Sequence, residues 1–403
     1  MFRLGRGQIG WYLKKRCRNI VPHYYSCRWL SSTFAELRTE STKLDLEQLS
    51  RDVVAGRTYA LARAITLAES KKLEHSELAA ELLDRCIALR GSVKDTFRVG
   101  ISGSPGVGKS TFIESLGCHI TRDLNKKVAV LAVDPSSIVR GGSILGDKTR
   151  MNKLASEPNA YVRPSPSGGT WGGLARHTDE VITLCETAGY EVILVETVGV
   201  GQSEAAVADA VDMLILLVSP GAGDELQGSK KGILELADIV VVNRADGSTK
   251  LMAAKTRREY LSALELQQPR LSFWKPPVLL CSCIEQKMEP NEAQETSSSS
   301  SDHAWSTSSP ILSPVDIWKE ATEFHELIMK NGILTAERGR QRSRWMWSVI
   351  RESIVPRMKN QPSIQKELPN LEQQLATGAI SPRKAALNLL DIIFQTYSPT
   401  SKD

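Results

Sequence analysis

The residues from 103 to 110 read Gly-Ser-Pro-Gly-Val-Gly-Lys-Ser, a spacing typical of a loop that binds phosphate. The apolar run Phe97–Ser102 before this loop predicts a strand, and Thr111–Leu116 after it opens a helix. Glycines let successive backbone N–H groups point inwards around phosphate oxygens, and the helix N-terminus adds partial positive charge. The sequence therefore predicts a P-loop that binds a nucleoside triphosphate. Its nucleotide-binding residues are Gly103, Ser104, Pro105, Gly106, Val107, Gly108, Lys109, Ser110 and Thr111.

Apolar runs alternate with amphipathic segments after this loop, which predicts a doubly wound, mainly parallel α/β sheet. The further predicted strands are Lys127–Asp134, Glu191–Glu196, Met213–Val218, Ile239–Asn243 and Pro277–Cys281. Helical periodicity predicts a small helical domain before the sheet. Helices are also expected at about 314–331, 335–355, 363–377 and 381–397.

The first 35 residues carry seven Lys or Arg and no acid, since Glu36 is the first carboxylate. This composition is typical of a mitochondrial transit peptide, and the alternative is a basic disordered tail. The rest of the chain is close to neutral and gives no electrostatic argument for binding nucleic acid. No apolar run approaches the roughly 18 residues that a membrane span needs. We therefore expect a mitochondrial matrix protein with neither nucleic acid nor membrane as a partner.

The expected organisation has five parts. They are a transit peptide at 1–35, an N-terminal helical domain at 36–92, a nucleotide-binding domain at 93–284, a Ser-rich disordered insertion at 285–313, and a last domain helix with a C-terminal helical dimerisation arm at 314–403. The arm contains Trp345, Trp347 and four arginines. One interpretation is a solvated helix face plus core tryptophans, and it is preferred for the arginines. Those arginines are Arg338, Arg340, Arg342 and Arg344.

The seven cysteines are dispersed and suggest no disulfide framework, which suits a reducing compartment. Cys281 and Cys283 form the one close pair and have no neighbouring histidine. Two buried strand residues are the preferred interpretation of this pair, with a metal site as the alternative.

Asn243-Arg-Ala-Asp246 follows a predicted strand directly and indicates which base is bound. An aspartate at this position accepts both the ring N–H and the exocyclic amine of guanine, a pair that adenine cannot offer. The wrong base leaves a buried carboxylate unpaired, so this match discriminates strongly. The pattern predicts GTP as the nucleotide, and the alternative is that Asp246 caps a helix. Arg244 stands where GTPases usually carry lysine.

Three further acidic positions indicate Mg²⁺ chemistry. Glu196-Thr-Val-Gly199 ends a strand, where P-loop proteins place an acid near Mg²⁺ and a glycine whose N–H meets the γ-phosphate. Asp134 also ends a strand, and Asp147 is a second candidate in a loop. Loop carboxylates in turns are the alternative for both. Together with the Ser110 hydroxyl, these groups predict a metal set of Ser110, Asp134, Asp147 and Glu196.

Longer strings identify a family. They include Gly141–Met151, Tyr161–Pro166, Glu196–Glu204, Gly223–Gly228 and Trp345–Trp347. On these segments the chain resembles the bacterial and mitochondrial GTPase chaperones of methylmalonyl-CoA mutase, over about residues 42–397. It is also similar to the metallochaperone GTPases, which share the glutamate of the third motif.

The resemblance implies a GTP-hydrolysing enzyme that binds GTP, GDP and Mg²⁺. It gates the delivery of adenosylcobalamin to the mutase and protects or reactivates that enzyme, with an indirect link to the cobalamin adenosyltransferase and a homodimeric state. The implied catalytic residues are Lys109, Glu196, Gln227 and Lys230. Gln227 and Lys230 lie in a segment expected to rearrange when the mutase binds.

The implied guanine-binding loop departs from the family pattern. The usual Ser-Ala-x reads Ser282, Cys283 and Ile284 here, and the Ser-rich stretch follows at once where the family has a short turn. Two other functions compete with the chaperone GTPase. A nickel or zinc metallochaperone would need clustered His or paired Cys, and a scaffold without turnover would not need the intact Lys109, Ser110, Asp134 and Glu196.

Overall fold

The computed structural model describes residues 45–70, 72–91, 95–134, 151–166, 173–197, 207–222, 231–283 and 310–397. Apart from Asp45 and Leu46, these residues belong to one unit, Glu47–Asp403. The predicted transit peptide and most of the predicted insertion lie outside the described residues. So do five predicted site residues, Asp147, Gly199, Gln227, Lys230 and Ile284.

A parallel sheet of eight strands forms the centre of the described structure. Its strands are β1 Phe97–Gly103, β2 Val128–Asp134, β3 Ala160–Pro166, β4 Val192–Glu196, β5 Met213–Val218, β6 Ile239–Val242, β7 Val278–Cys281 and β8 Ile311–Leu312. They lie in the order β3-β2-β4-β1-β5-β6-β7-β8, with all seven pairings parallel. The predicted doubly wound α/β class is confirmed. The central strands consist of near-continuous aliphatic residues because helices cover both faces of a sheet of this kind.

Helices cover the sheet and extend beyond it. They are α1 Leu46–Val54, α2 Thr58–Ala68, α3 Leu73–Leu89, α4 Lys109–Arg122, α5 Asn152–Ala155, α6 Gly173–Thr187, α7 Lys231–Leu234, α8 Lys250–Glu265, α9 Pro314–Lys330, α10 Ile333–Lys359, α11 Pro362–Ala376 and α12 Pro382–Tyr397. Helices α4 and α9 share one core with β1, and α7 and α8 share a second core with β6 and β7. Helices α2 and α3 pack against α6. Within the described ranges, no helix has the length and apolar character needed to cross a membrane.

Two strands were not predicted. Strand β3 contains Pro164 and Pro166, whose backbone nitrogens cannot donate hydrogen bonds to a neighbouring strand. The two prolines are tolerated because β3 pairs only with β2, at one edge of the described sheet. Strand β8 has two residues and pairs with β7 at the other edge. It falls within the stretch expected to be a disordered insertion, so the sheet resumes at Ile311, before the predicted end at 313.

The interpretation of the C-terminal arginines was wrong for one of the four. Arg338 keeps only 13% of its side chain exposed, because the first turns of α10 pack against the sheet. Arg340, with 62% exposure, fits the predicted solvated face. Trp347 is 55% exposed, so the interpretation as a core tryptophan does not apply to it. The first part of α10 therefore belongs to the core, and a later part presents an apolar side chain to solvent.

A buried network joins the amino-terminal ends of β1 and β5 to α10 and α6. Arg338 donates two hydrogen bonds to the Asp212 carboxylate, at 2.8 and 2.6 Å, and a third to the carbonyl of Thr96 at 2.7 Å. Arg98 Nε donates to Glu186 at 2.7 Å. Burial alone would raise the pKa of Glu186, but Arg98, Arg338 and Thr96 lower it overall. The network fixes α10 to the amino-terminal ends of the strands, opposite the predicted nucleotide site at their carboxyl ends.

Asp179 on α6 gives stability a pH dependence. Burial is the main cause that raises its pKa to about 6, and the nearby Asp209 and Glu180 add to it. An unfolded aspartate titrates near 3.9, so the folded state retains a proton that the unfolded state loses between about pH 4 and 6. Stability should therefore fall as pH rises through this window and stay low above it.

We expect Asp179→Asn to remove this fall and raise the free energy of unfolding at pH 7 by about 1–2 kcal/mol. Urea unfolding of wild type and variant at pH 4.5 and pH 7 measures the free energy of unfolding at each pH. The exposed Asp391→Asn serves as control and should change little at either pH. Parallel pH profiles for wild type and Asp179→Asn would contradict the prediction.

Candidate functional site

The carboxyl edge of the sheet collects the predicted site residues. The P-loop follows β1, Glu196 ends β4, Asp134 ends β2, Asn243 follows β6 and Ser282 follows β7. Because β1 lies between β4 and β5, the P-loop that follows β1 lies near the centre of this edge. Ligands of open α/β sheets bind at such a position.

Glycine is required at two positions of the P-loop. Gly103 has φ 149°, and a Cβ there would lie 2.3 Å from the carbonyl oxygen of Leu217 on β5. Gly108 has φ 99°, and its Cβ would lie 2.7 Å from Asn243 Nδ2. Both contacts are too short for any side chain, so these glycines allow the loop to approach its neighbours closely.

Lys109 folds back over the loop that it terminates. It begins α4, is only 8% exposed, and its Nζ donates to the carbonyls of Gly103 at 2.8 Å and Ser104 at 3.1 Å. Two carbonyl acceptors hold the ammonium group within the curve of the loop. A phosphate there would meet this charge together with the N–H groups at the start of α4.

Ser110 and Glu196 lie side by side at the start of α4 and the end of β4. The Ser110 hydroxyl donates to Glu196 Oε1 at 3.1 Å. In the sheet register Glu196 pairs with Ile101 on one side and Ala132 on the other, and Asp134 is two residues beyond Ala132 on β2. Hydroxyl and carboxylate oxygens are the ligands that Mg²⁺ prefers, so this donor set fits the ion.

Thr197 was not predicted as a site residue, although it follows Glu196 directly. It is fully buried, and its hydroxyl donates to Ser102 Oγ at 2.9 Å. Its backbone N–H donates to the carbonyl of Ile101 at 3.0 Å. These bonds join the ends of β1 and β4 directly before the P-loop. A buried hydroxyl pair on adjacent strands cannot be recognised without knowing which strands are neighbours.

Asn243 joins the predicted guanine and phosphate regions. It is 2% exposed, its Nδ2 donates to the carbonyl of Val107 in the P-loop at 2.9 Å, and its backbone N–H donates to Val218 at 3.0 Å. The residue therefore acts as a buried brace between β6 and the P-loop.

Asp246 accepts a hydrogen bond from the Ser282 hydroxyl. Its side chain makes no capping bond to the short turn Gly247–Thr249 that follows, so the helix-cap interpretation does not explain its position. Ser282 in turn donates its backbone N–H to the carbonyl of Leu312 at 3.0 Å, which fixes the loop after β7 to β8. The carboxylate and the loop thus form one polar corner at this edge of the sheet.

Arg244 takes the left-handed conformation, with φ 59°. A Cβ built on Gly108 would lie 3.8 Å from Arg244 Nε, so the guanidinium is beside the P-loop. Arg244 therefore places a positive charge next to the P-loop.

The structure brings together the P-loop, Ser110, Glu196, Asn243, Asp246, Ser282 and Cys283. Asp134 is placed by its backbone at the end of β2. Cys281 is buried in β7, as predicted, but Cys283 lies beyond the end of that strand and is half-buried, so the prediction of two buried strand residues was wrong for Cys283. Over the described ranges, no group of three or more His, Cys, Asp or Glu side chains is arranged to hold a metal ion.

Comparison with known proteins gives consistent matches. The family model described as "Methylmalonyl Co-A mutase-associated GTPase MeaB" matches residues 61–291. The mouse protein named "Methylmalonic aciduria type A homolog, mitochondrial" is 44% identical over 352 residues, covering 86% of this chain and 79% of the mouse protein. The Caenorhabditis elegans protein of the same name is 40% identical, covering 93% and 88%.

A bacterial relative and a solved structure extend the comparison. The Escherichia coli protein named "GTPase ArgK" is 37% identical over 87% of this chain and 98% of its own length. A crystal structure titled "LAO/AO transport system kinase" is 31% identical and covers 87% of this chain and 98% of its own, with a TM-score of 0.61. The similarity therefore extends over nearly the full length of these relatives.

Proposed function

The chain belongs to the family of methylmalonyl-CoA mutase-associated GTPases, and on that premise we propose that it couples GTP hydrolysis to the delivery of adenosylcobalamin to methylmalonyl-CoA mutase. The same cycle would protect or reactivate the mutase. The chain is a GTPase, which hydrolyses GTP to GDP and phosphate. One observation carries the proposal: a complete P-loop is braced to a guanine-type corner by Asn243, in a chain from this family.

The phosphate end of the site is built from the P-loop. We assign its N–H groups to the phosphate oxygens, Lys109 to the β- and γ-phosphates, and Gly199 to the γ-phosphate. Lys109 would exchange the two carbonyl acceptors of its own loop for phosphate oxygens, which are stronger partners because they are charged.

The oxygen donors at the ends of α4, β4 and β2 would hold Mg²⁺. We assign Ser110 and Glu196 to the ion or its waters, and Asp134 and Asp147 to the same set. Bound Mg²⁺ would neutralise charge on the β- and γ-phosphates. Within the chain itself, Glu196 orients the Ser110 hydroxyl, so that its oxygen lone pairs face away from the carboxylate.

The polar corner would bind the base. We assign the Asp246 carboxylate to the ring N–H and exocyclic amine of guanine, and the loop Ser282, Cys283 and Ile284 to its carbonyl oxygen. The Ser282 hydroxyl donates to one carboxylate oxygen of Asp246, which fixes the plane in which the two oxygens would accept from the base. This geometry requires two neighbouring donors on the ligand, as guanine has.

The mutase would act on hydrolysis through the segment that contains Gln227 and Lys230. We propose that its rearrangement brings Lys230 to the γ-phosphate, where a cation stabilises the charge that develops during phosphoryl transfer. The relatives from mouse and worm are named mitochondrial, and we place this chain in the matrix with the mutase.

We expect methylmalonyl-CoA mutase to accelerate GTP hydrolysis by the full chain, and Lys230→Ala to lower the stimulated rate about tenfold or more without weakening GTP binding. Phosphate release with and without the mutase measures the hydrolysis rate of both proteins, and nucleotide titration measures their GTP binding. The neighbouring Lys231→Ala is the matched control and should keep its stimulation. No complex and no stimulation would overturn the proposed partner, and stimulation that survives Lys230→Ala would overturn the role of that lysine.

The C-terminal helices support a homodimer. Helix α10 exposes Met346, Trp347, Ile350, Ile354 and Val355, and α12 exposes Leu387, Leu390 and Phe394. Apolar side chains of this size and number, exposed on two helices of the same arm, are typical of an interface. We propose that a second copy of the chain covers them.

A further inference from the structure

Two cysteines flank the residue that holds Asp246. Cys281 is the last residue of β7 and is fully buried, and Cys283 is half-buried two positions later. Ser282 lies between them and donates to Asp246. The loop on the base side of the site therefore carries a thiol where the family pattern has alanine.

The thiol of Cys283 reaches the brace between base and phosphate regions. Its Sγ donates to Asn243 Oδ1 at 3.6 Å, while Asn243 Nδ2 donates to the carbonyl of Val107 at 2.9 Å. The amide oxygen faces the thiol and the amide nitrogen faces the P-loop. These two bonds define one orientation of the buried amide, since the reverse orientation would place donors against donors and acceptors against acceptors.

We propose that Cys283 is a positioning residue for the guanine-nucleotide site, whose thiol orients Asn243 towards the P-loop, and that covalent modification of this thiol therefore switches nucleotide binding off. The inference rests on the proposed guanine site. It adds a role for the Cys283 side chain, which acts through Asn243 and is separate from the contact that its loop would make to the base.

The surroundings also make Cys283 the more nucleophilic sulfur of the pair. A hydrogen bond from the Cys281 thiol lowers the pKa of Cys283, with a further contribution from the charge of Arg244, while burial and Asp246 oppose the shift. The pKa of Cys281 is raised instead. Because the thiolate is the reacting form, alkylating agents should react with Cys283 faster than with Cys281.

Alkylation would disrupt the brace in a defined way. Iodoacetamide forms a carbon–sulfur bond as the carbon–iodine bond breaks, iodide leaves, and the thiol proton passes to solvent. The product has no S–H donor for Asn243 Oδ1, and it adds an acetamide group beside a side chain that is 2% exposed. Asn243 must then move, and its bond to Val107 is lost.

The first test compares the thiol with its nearest substitutes in the full chain. We expect Cys283→Ala to raise the KM for GTP about fivefold with kcat within about twofold of wild type, since one buried hydrogen bond is lost. Cys283→Ser keeps a donor and should restore the KM. Cys118→Ser, at a half-exposed cysteine on α4, is the control and should match wild type. A KM for Cys283→Ala equal to that of wild type, or no rescue by serine, would overturn the positioning role.

The second test uses iodoacetamide with peptide mass mapping. Cys283 should be labelled, bound GTP should protect it, and the labelled protein should lose GTP binding while Cys283→Ala protein treated in the same way retains it. Full labelling of Cys283 with unchanged GTP affinity would contradict the inference alone. A failed guanine site has a separate signature, which is that Asp246→Asn leaves GTP affinity unchanged.

Discussion

Replacing Asp246 with asparagine should weaken GTP binding by about 100-fold to 1,000-fold and improve the binding of xanthosine triphosphate. An asparagine still accepts from Ser282, so the loop after β7 keeps its contact. The lost group is the second acceptor, which guanine's two donors require, and an amide N–H would face one of those donors. Xanthine offers a carbonyl oxygen in place of the exocyclic amine, and this oxygen can accept from the new amide.

Titration of both nucleotides against wild type and Asp246→Asn measures the change in preference from GTP to xanthosine triphosphate. Ser282→Ala is the control, because it removes one hydrogen bond and leaves the carboxylate, so it should weaken GTP by about tenfold or less without favouring xanthosine triphosphate. GTP affinity that does not change in Asp246→Asn would remove Asp246 from the base site and with it the assignment of guanine.

Replacing Arg338 with alanine should destabilise the protein by about 3–5 kcal/mol, because the carboxylate of Asp212 would remain buried without its main partner. The Asp212 side chain is 1% exposed and accepts two hydrogen bonds from Arg338. It would retain the backbone N–H of Arg98 at 2.9 Å, which cannot neutralise its charge.

Urea unfolding of the full chain measures the effect. Arg340→Ala provides a control on the same helix, since its ion pair with Glu337 is 62% exposed on the arginine side and should contribute well under 1 kcal/mol. The double variant Arg338→Met with Asp212→Asn should recover part of the loss, because the buried charge is then absent. Similar losses for Arg338→Ala and Arg340→Ala would contradict the argument.

The strands of the sheet could be predicted from the sequence to different degrees. The six predicted strands all formed, because parallel strands buried on both faces leave continuous aliphatic runs in the sequence. Strand β3 was missed because its prolines argue against a strand anywhere except at an edge, and edge position is a property of the whole sheet.

The site shows the same division. Lys109, Ser110, Asn243 and Asp246 belong to local patterns and could be named from spacing alone. The pairing of Thr197 with Ser102 depends on which strands are adjacent, 95 residues apart in the chain. Arg338 looked like part of a solvated face because its neighbours are charged, but its partner Asp212 lies 126 residues away. Long-range partners of this kind carry no signal in a single sequence.

The hydrogen bond between Ser282 and Leu312 has a consequence for the length of this protein. It ties together the two ends of the connection between β7 and β8, with Leu280 paired to Ile311 and Cys281 to Leu312. In proteins generally, the entropy cost of closing a loop between fixed ends grows by only about 0.6 kcal/mol for each doubling of its length. Residues can therefore accumulate between 284 and 309 at little thermodynamic cost, while the corner that would bind the base keeps its anchor. We therefore expect insertions at this point of the fold to change the free energy of unfolding little, and the serine tract 297–301 of this chain lies within the connection.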